Sequence, residues 1–230
     1  MFEFITWIIL TLSAVTLVVA LAERYGVEIA IGIFATLTVV ANVIASKLVT
    51  VGSVIVPAGV IVYSATFLIT DVLGEIYGKE YGKKAVITGF FANLIAMLAI
   101  VTALLWKPAP IGIEMAEAFN KVFSLTPRIV IASMVAYLIS QTHDVYAFHF
   151  WKEKTKGKYL WLRNNASTMV SQAIDTCTFI TLAFYGIVPN DVLLGMIVWQ
   201  YLIKVTIALM DTPFMYIATY TWRFVSKTTA

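Results

Sequence analysis

The sequence predicts an all-α integral membrane protein: a bundle of about seven transmembrane helices with the N-terminus outside and the C-terminus in the cytoplasm. Three observations lead there. Of 230 residues, 60% are apolar or aromatic and only 13% are charged, where a soluble surface needs about a quarter of its residues charged; the mean hydropathy is +0.88. The apolar residues arrive in seven long runs, 1–22, 29–46, 54–70, 85–106, 129–141, 166–188 and 192–220, and a helix needs about 20 apolar residues to span a bilayer. The lysines and arginines are asymmetric: eleven fall on the first, third and fifth loops and the C-terminus, and three on the opposite side. Cytoplasmic loops carry that excess. Localisation in the plasma membrane as a single multi-pass domain over 1–230 follows.

The first run resembles a signal peptide, with Ala20-Leu21-Ala22 as a cleavage-like pattern, but Glu3 stands where a basic segment belongs. It is read as a retained span, an additional helix over 1–25 ahead of a six-helix core over 26–223. The second run carries Asn42 and, near its outer end, Lys47. Residues 50–59 mix Val, Ile and Gly with Pro57 and read as extended or broken chain. The third run leads into Asp71 and Glu75, one helical turn apart, with Lys79 a further turn on as a candidate partner of Glu75. After the fourth run, residues 108–127 form the longest outer loop. There Ile113, Ala116, Phe119, Val122 and Phe123 recur at helical spacing, which predicts a short helix on the membrane surface, an interfacial linker before a lid. The fifth run ends in Gln141, His143 and Asp144. The basic stretch 152–163 orients the chain and attracts anionic headgroups. The sixth run holds Gln172 and Asp175, and the seventh Gln200, Lys204 and Asp211, the last just before a kink predicted at Thr212-Pro213.

A charge at the bilayer centre costs about 2.5–3.5 kcal/mol, so such residues persist when paired or facing a cavity. Ser140-Gln141-Thr142-His143-Asp144 repeats as Ser171-Gln172-Ala173-Ile174-Asp175. Each amide and acid is three residues apart and shares a helix face, and antiparallel spans would bring both pairs to a similar depth, on the cytoplasmic side of the midplane. Within the spans Lys47 and Lys204 oppose five acids, Asp71, Glu75, Asp144, Asp175 and Asp211. A site so rich in acceptors suits a ligand with several N–H donors or a cationic group and repels phosphates and carboxylates. Tyr146, Phe148, Phe179, Phe184, Trp199 and Tyr201 offer flat faces for stacking. Plainer readings stand beside these: Asn, Gln and Asp glue helices together, Lys204 neutralises Asp211 or Asp175, Asp211 satisfies backbone freed at the kink, His143 is a satisfied hydrogen-bonding side chain before it is a proton carrier, and the aromatics pack or anchor.

One cysteine, Cys177, excludes an internal disulfide and any cysteine-based metal centre, and two histidines exclude a His-rich cluster. No cofactor or metal is expected, nor a nucleic-acid partner. With neither a Gly-x-Ser-x-Gly elbow nor a His-Glu-x-x-His string in the sequence, an intramembrane enzyme is the weaker reading.

Asn42 and Lys47, the string Thr66-Phe67-Leu68-Ile69-Thr70-Asp71-Val72-Leu73-Gly74-Glu75-Ile76-Tyr77-Gly78, Gly89-Phe90, Asn93, Trp161-Leu162-Arg163-Asn164-Asn165, Gln172 with Asp175-Thr176, Lys204-Val205 and Asp211-Thr212-Pro213 together resemble the queuosine precursor transporter family, also grouped as vitamin uptake transporters. The resemblance runs from Asn42 to Pro213 and implies a six-helix core. It also implies import of a queuosine or archaeosine precursor: 7-cyano-7-deazaguanine, its aminomethyl form, or queuine. A guanine-like edge presents N1–H beside an exocyclic NH₂, which one carboxylate accepts in bidentate fashion. The expected binding residues are Asn42, Asp71, Glu75, Gln141, Asp144, Gln172, Asp175 and Lys204, with Asp175 or Glu75 on the donor edge. Proton or sodium coupling and facilitated diffusion are both left open, as is a homodimer. An alternative is the substrate-binding subunit of a multi-component importer, docking through small residues such as Ala41 and Ala45; a passive channel fits the mixture of amides, acids and a lysine less well.

Overall fold

A computed structural model of the chain describes residues 2–45, 47–51, 54–123 and 127–228. Seven long helices fall on the seven apolar runs: α1 (Phe2–Tyr25), α2 (Glu28–Ile44), α3 (Val60–Ile76), α4 (Lys79–Leu105), α6 (Pro127–Lys154), α7 (Leu160–Phe184) and α8 (Asn190–Thr228). A short helix, α5 (Ile113–Phe123), lies between α4 and α6. Within this set, α4 and residues 190–221 of α8 are each long and apolar enough to cross a membrane. The side chains of Arg24, Arg223 and Lys227, which enter the orientation count, lie outside the described residues.

The arrangement follows from which faces are apolar. Every residue of α3 from Ser64 to Gly74 is buried, and a helix buried on all sides belongs at the centre of a bundle. Accordingly α3 packs on α1, α2, α4, α6 and α8. Helix α4 shows the opposite pattern. Ile87, Phe91, Ile95, Leu98 and Leu105 are all more than half exposed, forming a stripe at three- and four-residue spacing that suits contact with lipid tails. Helices α6 and α7 pair along their length, joined by a turn in which Lys156, Gly157 and Tyr159 all have positive φ.

Two expectations on the third run are refined. Residues 54–57 are not helical: β1 (Leu48–Val51) and β2 (Val54–Pro57) form an antiparallel hairpin, Val49 opposite Val56, and the Ala58 N–H donates to the Lys47 carbonyl at 2.8 Å. The extended chain expected over 50–59 is this hairpin. Pro57 cannot donate to a helical ladder, so α3 starts at Val60 and runs on through Asp71 and Glu75. At Gly59 an added Cβ would strike the Ala41 carbonyl oxygen, so glycine is what lets α3 begin this close to α2.

The loop at 108–127 contains the short helix that its spacing predicts. Ile113 and Met115 are 50% and 75% exposed, the rings of Phe119 and Phe123 lie 4.6 Å apart, and the helix's main contacts are with α4. None of its residues lines the cavity described next.

Candidate functional site

The end of α2, the start of α3 and the facing parts of α6, α7 and α8 enclose a cavity with about 450 Å³ of empty space, counting its open mouth. Most of its wall is apolar and small, Ala41, Ala45, Val60 and Ala136 among it, with a few polar groups converging. That composition is usual for small-molecule sites. Ala41 and Ala45 both line this cavity.

Asp175 of α7 is its centre. One carboxylate oxygen accepts the Tyr63 hydroxyl at 2.6 Å and the Ser140 hydroxyl at 3.1 Å; the other pairs with the ammonium of Lys204. The pair is buried, with side chains 6% and 3% exposed, and the Lys204 ammonium sits 5.1 Å from the centre of the Tyr63 ring. Burial of two charges is tolerated when both are hydrogen-bonded, and three helices supply those bonds. The choice between Asp175 and Asp211 as the partner of Lys204 is thereby settled for Asp175.

Across the cavity, Asn42 accepts the Ser133 hydroxyl at 2.7 Å and donates to Asn93 at 2.6 Å. Asn93 in turn donates to Thr38 and to the Gly89 carbonyl. Gln200 and Phe179 complete the lining. Of the six stacking candidates only Phe179 reaches the cavity. Phe148 is buried in the core beside Arg163, while Trp199 and Tyr146 are about half exposed at the surface of the bundle.

The eight expected residues therefore do not share one pocket. Asn42, Asp175 and Lys204 line the cavity. The antiparallel pairing of α6 with α7 sets Ser140 against Asp175 and His143 against Ser171, so Asp144 lies about one turn, near 6 Å, farther along the bundle than Asp175. The two Gln-x-x-Asp pairs thus overlap in depth, as expected, but run in opposite directions, so that their acids sit about a turn apart. Gln141 donates to the Thr66 hydroxyl at 2.9 Å, and Gln172 is fully buried one residue from Ser171. Asp71 accepts from Thr168 at 3.3 Å and lies near Asp144 and Asp211. Farther along, Glu75 holds Arg163 at 2.7 Å and Lys152 at 3.0 Å.

The pairing expected between Glu75 and Lys79 does not form. Gly78, with φ of 93°, separates α3 from α4, and the Lys79 ammonium lies 3.7 Å over the Tyr146 ring. Lys47 is exposed, on the turn before β1, so it does not offset the buried acids. Asp211 is held by the Asn164 amide at 2.9 Å, and α8 continues as helix through Pro213. Tyr63, Ser133 and Ser140 are cavity or Asp175 contacts that the sequence reading did not single out as binding residues. Tyr63 stands in an apolar run where an aromatic normally signals packing; the one available signal was its position one turn ahead of Phe67 and Thr66, on the face that continues to Thr70.

A family model described as "Putative vitamin uptake transporter" matches residues 57–218, from the end of β2 through most of α8. A protein of Bacillus subtilis named "Probable queuosine precursor transporter" is 37% identical over 182 residues, 79% of each chain. The chain belongs to the queuosine precursor transporter family. Two further members are similar over shorter stretches: a "Probable queuosine precursor transporter" of Haemophilus influenzae, 30% identical over 128 residues, and the "Queuosine precursor transporter" of Escherichia coli, 29% identical over 122 residues; each alignment covers about half of either chain. No solved structure matches. The region matched by the family model contains all of the cavity lining except the α2 residues Ala41, Asn42 and Ala45. As a member of a transporter family the chain is a membrane protein, and its relatives are named as transporters rather than enzymes.

Proposed function

We propose that this protein imports a 7-deazaguanine base across the plasma membrane, as a multi-pass carrier of seven spans with its N-terminus outside. In that orientation the end of α2 and the starts of α3 and α6 face outward, so the cavity opens toward the medium. The observation that carries the reading is the Asp175 carboxylate, held by Tyr63, Ser140 and Lys204 at the wall of a small, mainly apolar cavity.

A guanine-like edge offers two adjacent N–H donors, which a carboxylate accepts side by side, and a ring carbonyl, to which a lysine ammonium donates. Asp175 and Lys204 present that combination, and Phe179 gives an aromatic face. The Asn42 amide supplies one more donor and acceptor for ring nitrogens. Such a site rejects ligands that leave its buried groups unpaired, by factors of about 10⁴ or more. The cyano, aminomethyl and queuine forms share this edge and differ on the far side of the ring.

Binding of guanine, hypoxanthine and the three 7-deazaguanines to the purified protein, with uptake into proteoliposomes, tests the reading. The 7-deazaguanines bind and enter, and hypoxanthine, which lacks the exocyclic NH₂, binds at least tenfold more weakly. Equal binding of hypoxanthine, or no uptake of any 7-deazaguanine, refutes it.

A further inference from the structure

The binding reading leaves three buried carboxyl groups without a role. Asp71 of α3, Asp144 of α6 and Asp211 of α8 are each no more than 1% exposed and lie near enough for mutual repulsion. The buried cations around them are committed: Lys204 to Asp175 on the cavity side, and Arg163, with Lys152, to Glu75 on the other. What remains beside the acids is neutral, namely Asn164, Ser167, Thr168 and Ser171 of α7. Like charges in a low-dielectric interior repel by several kcal/mol per pair, and carboxyls so placed share protons or take up a cation.

Two buried amides point to a ligand at the same place. Asn164 gives its amide N–H to Asp211, while its carbonyl oxygen has no partner. Gln172 is fully buried with neither amide atom bonded, and it lies one turn from Thr168, the residue that donates to Asp71, on the same face of α7. Asp144 is fully buried, with Asp71, Ser167, Thr168 and Ser171 beside its carboxyl. Among the described residues, no three His, Cys, Asp or Glu side chains are placed to hold a metal ion.

A route leads from the cluster to the side of the bundle, on the half that is cytoplasmic in the proposed orientation. Ser171 stands beside Asp144, and its hydroxyl is 2.9 Å from Nδ1 of His143. His143 lines an open groove on the side of the bundle, together with Lys79, Tyr146, His149 and Glu153. The route is therefore carboxyl, hydroxyl, imidazole, groove. The titratable groups facing His143 are those of the groove wall; those facing Asp144 are Asp71 and Asp211.

We propose that Asp71, Asp144 and Asp211 form a proton-binding site that exchanges with this groove through Ser171 and His143 and couples uptake of the base to a proton gradient. This rests on the transport reading above. The link to the cavity is mechanical. Helix α8 carries Lys204 at the cavity and Asp211 at the cluster, seven residues or about 10 Å apart, and α7 carries Asp175 and Asn164, the partners of both. A base that takes Lys204's place on Asp175 loosens α8 from α7 at one end, and a change of protonation at Asp211 does so at the other.

Two measurements test it. In proteoliposomes, an acidic exterior raises initial uptake of a labelled 7-deazaguanine about tenfold over no gradient, a sodium gradient does not, and Asp144→Asn loses the stimulation. Uptake indifferent to pH gradient, stimulation by sodium instead, or full stimulation in Asp144→Asn overturns the proposal. Independently of any base, the infrared spectrum of the ligand-free wild type shows the C=O stretch of a protonated carboxylic acid that shifts in D₂O and is reduced in Asp144→Asn. A wild-type spectrum without that band overturns the proposal even if the base is transported. The band present, with no base bound or carried, leaves the proton site standing and removes the transport reading. The wild-type series decides whether or not Asp144→Asn folds.

Discussion

The pair formed by Asp175 and Lys204 permits a quantitative test by a double-mutant cycle. Both side chains are buried, at 6% and 3% exposure, and removing one partner of a buried ion pair costs about 3–5 kcal/mol because the other charge is left uncompensated. In Asp175→Asn the new amide oxygen still accepts from Tyr63 and Ser140, which bind the carboxylate at 2.6 and 3.1 Å, so the loss falls near the lower end, about 3 kcal/mol. In Lys204→Met the carboxylate keeps those two donors, and the loss is similar. The double variant buries no charge here and falls short of the sum of the singles by about 1–3 kcal/mol. Thermal and denaturant unfolding of the four proteins in one detergent measures the cycle. Binding of a 7-deazaguanine supplies the functional arm: hydrogen bonds to a charged group contribute about 1.5–3 kcal/mol, so Asp175→Asn weakens binding by roughly 10- to 150-fold. Additive single losses would show that the pair is not coupled. Binding by Asp175→Asn within about threefold of wild type would show that the carboxylate does not hold the base.

Glu75→Gln removes the acid that pairs with Arg163, which is 1% exposed and otherwise held by the Gly157 and Lys158 carbonyls, and is expected to cost roughly 3 kcal/mol in unfolding experiments with a smaller effect on base affinity than Asp175→Asn; lost binding at unchanged stability would return Glu75 to the binding site. Gly59→Ala forces α2 from α3 where an added Cβ meets the Ala41 carbonyl, at roughly 1–3 kcal/mol, whereas Gly32→Ala, with nothing within 4 Å of its Cβ, stays within about 0.5 kcal/mol; equal losses refute the close approach. For orientation, Lys156→Cys in a Cys177→Ser background is expected to react with a membrane-impermeant maleimide only after cells are opened. Reaction in intact cells reverses the topology.

The long helices were legible because each apolar run marks the body of one, although α6 and α8 extend well past theirs, and the surface helix because its apolar residues repeat at helical spacing. The hairpin at 48–57 was legible as extended chain only, since Pro57 marks where helix cannot run but not what pairs with the strand. The candidate site was half legible. Asp175, Lys204 and Asn42 announce themselves as polar groups in apolar runs. Which of the buried acids meets Lys204 depends on how α7 packs on α8, and the offset between Asp144 and Asp175 depends on the register of α6 against α7. Spacing within one helix carries neither quantity. Glu75 shows the same limit: its sequence neighbour Lys79 is carried off by the turn at Gly78, and its partners come from residues 77 and 88 positions away.

Helix α1 lies ahead of the region that the family model matches, yet it packs on α8, α2 and α3. Its inward edge is Ile8, Leu12, Val15, Val19 and Ala22, and the hydroxyl of Thr16 is spent on its own helix at the Leu12 carbonyl. Branched hydrocarbon grips without direction, so a neighbour can slip along it without tearing any particular bond. If α8 moves as the proton-coupling proposal requires, α1 would act as a greased rail for it, holding it in place by hydrocarbon contact alone while leaving its travel free.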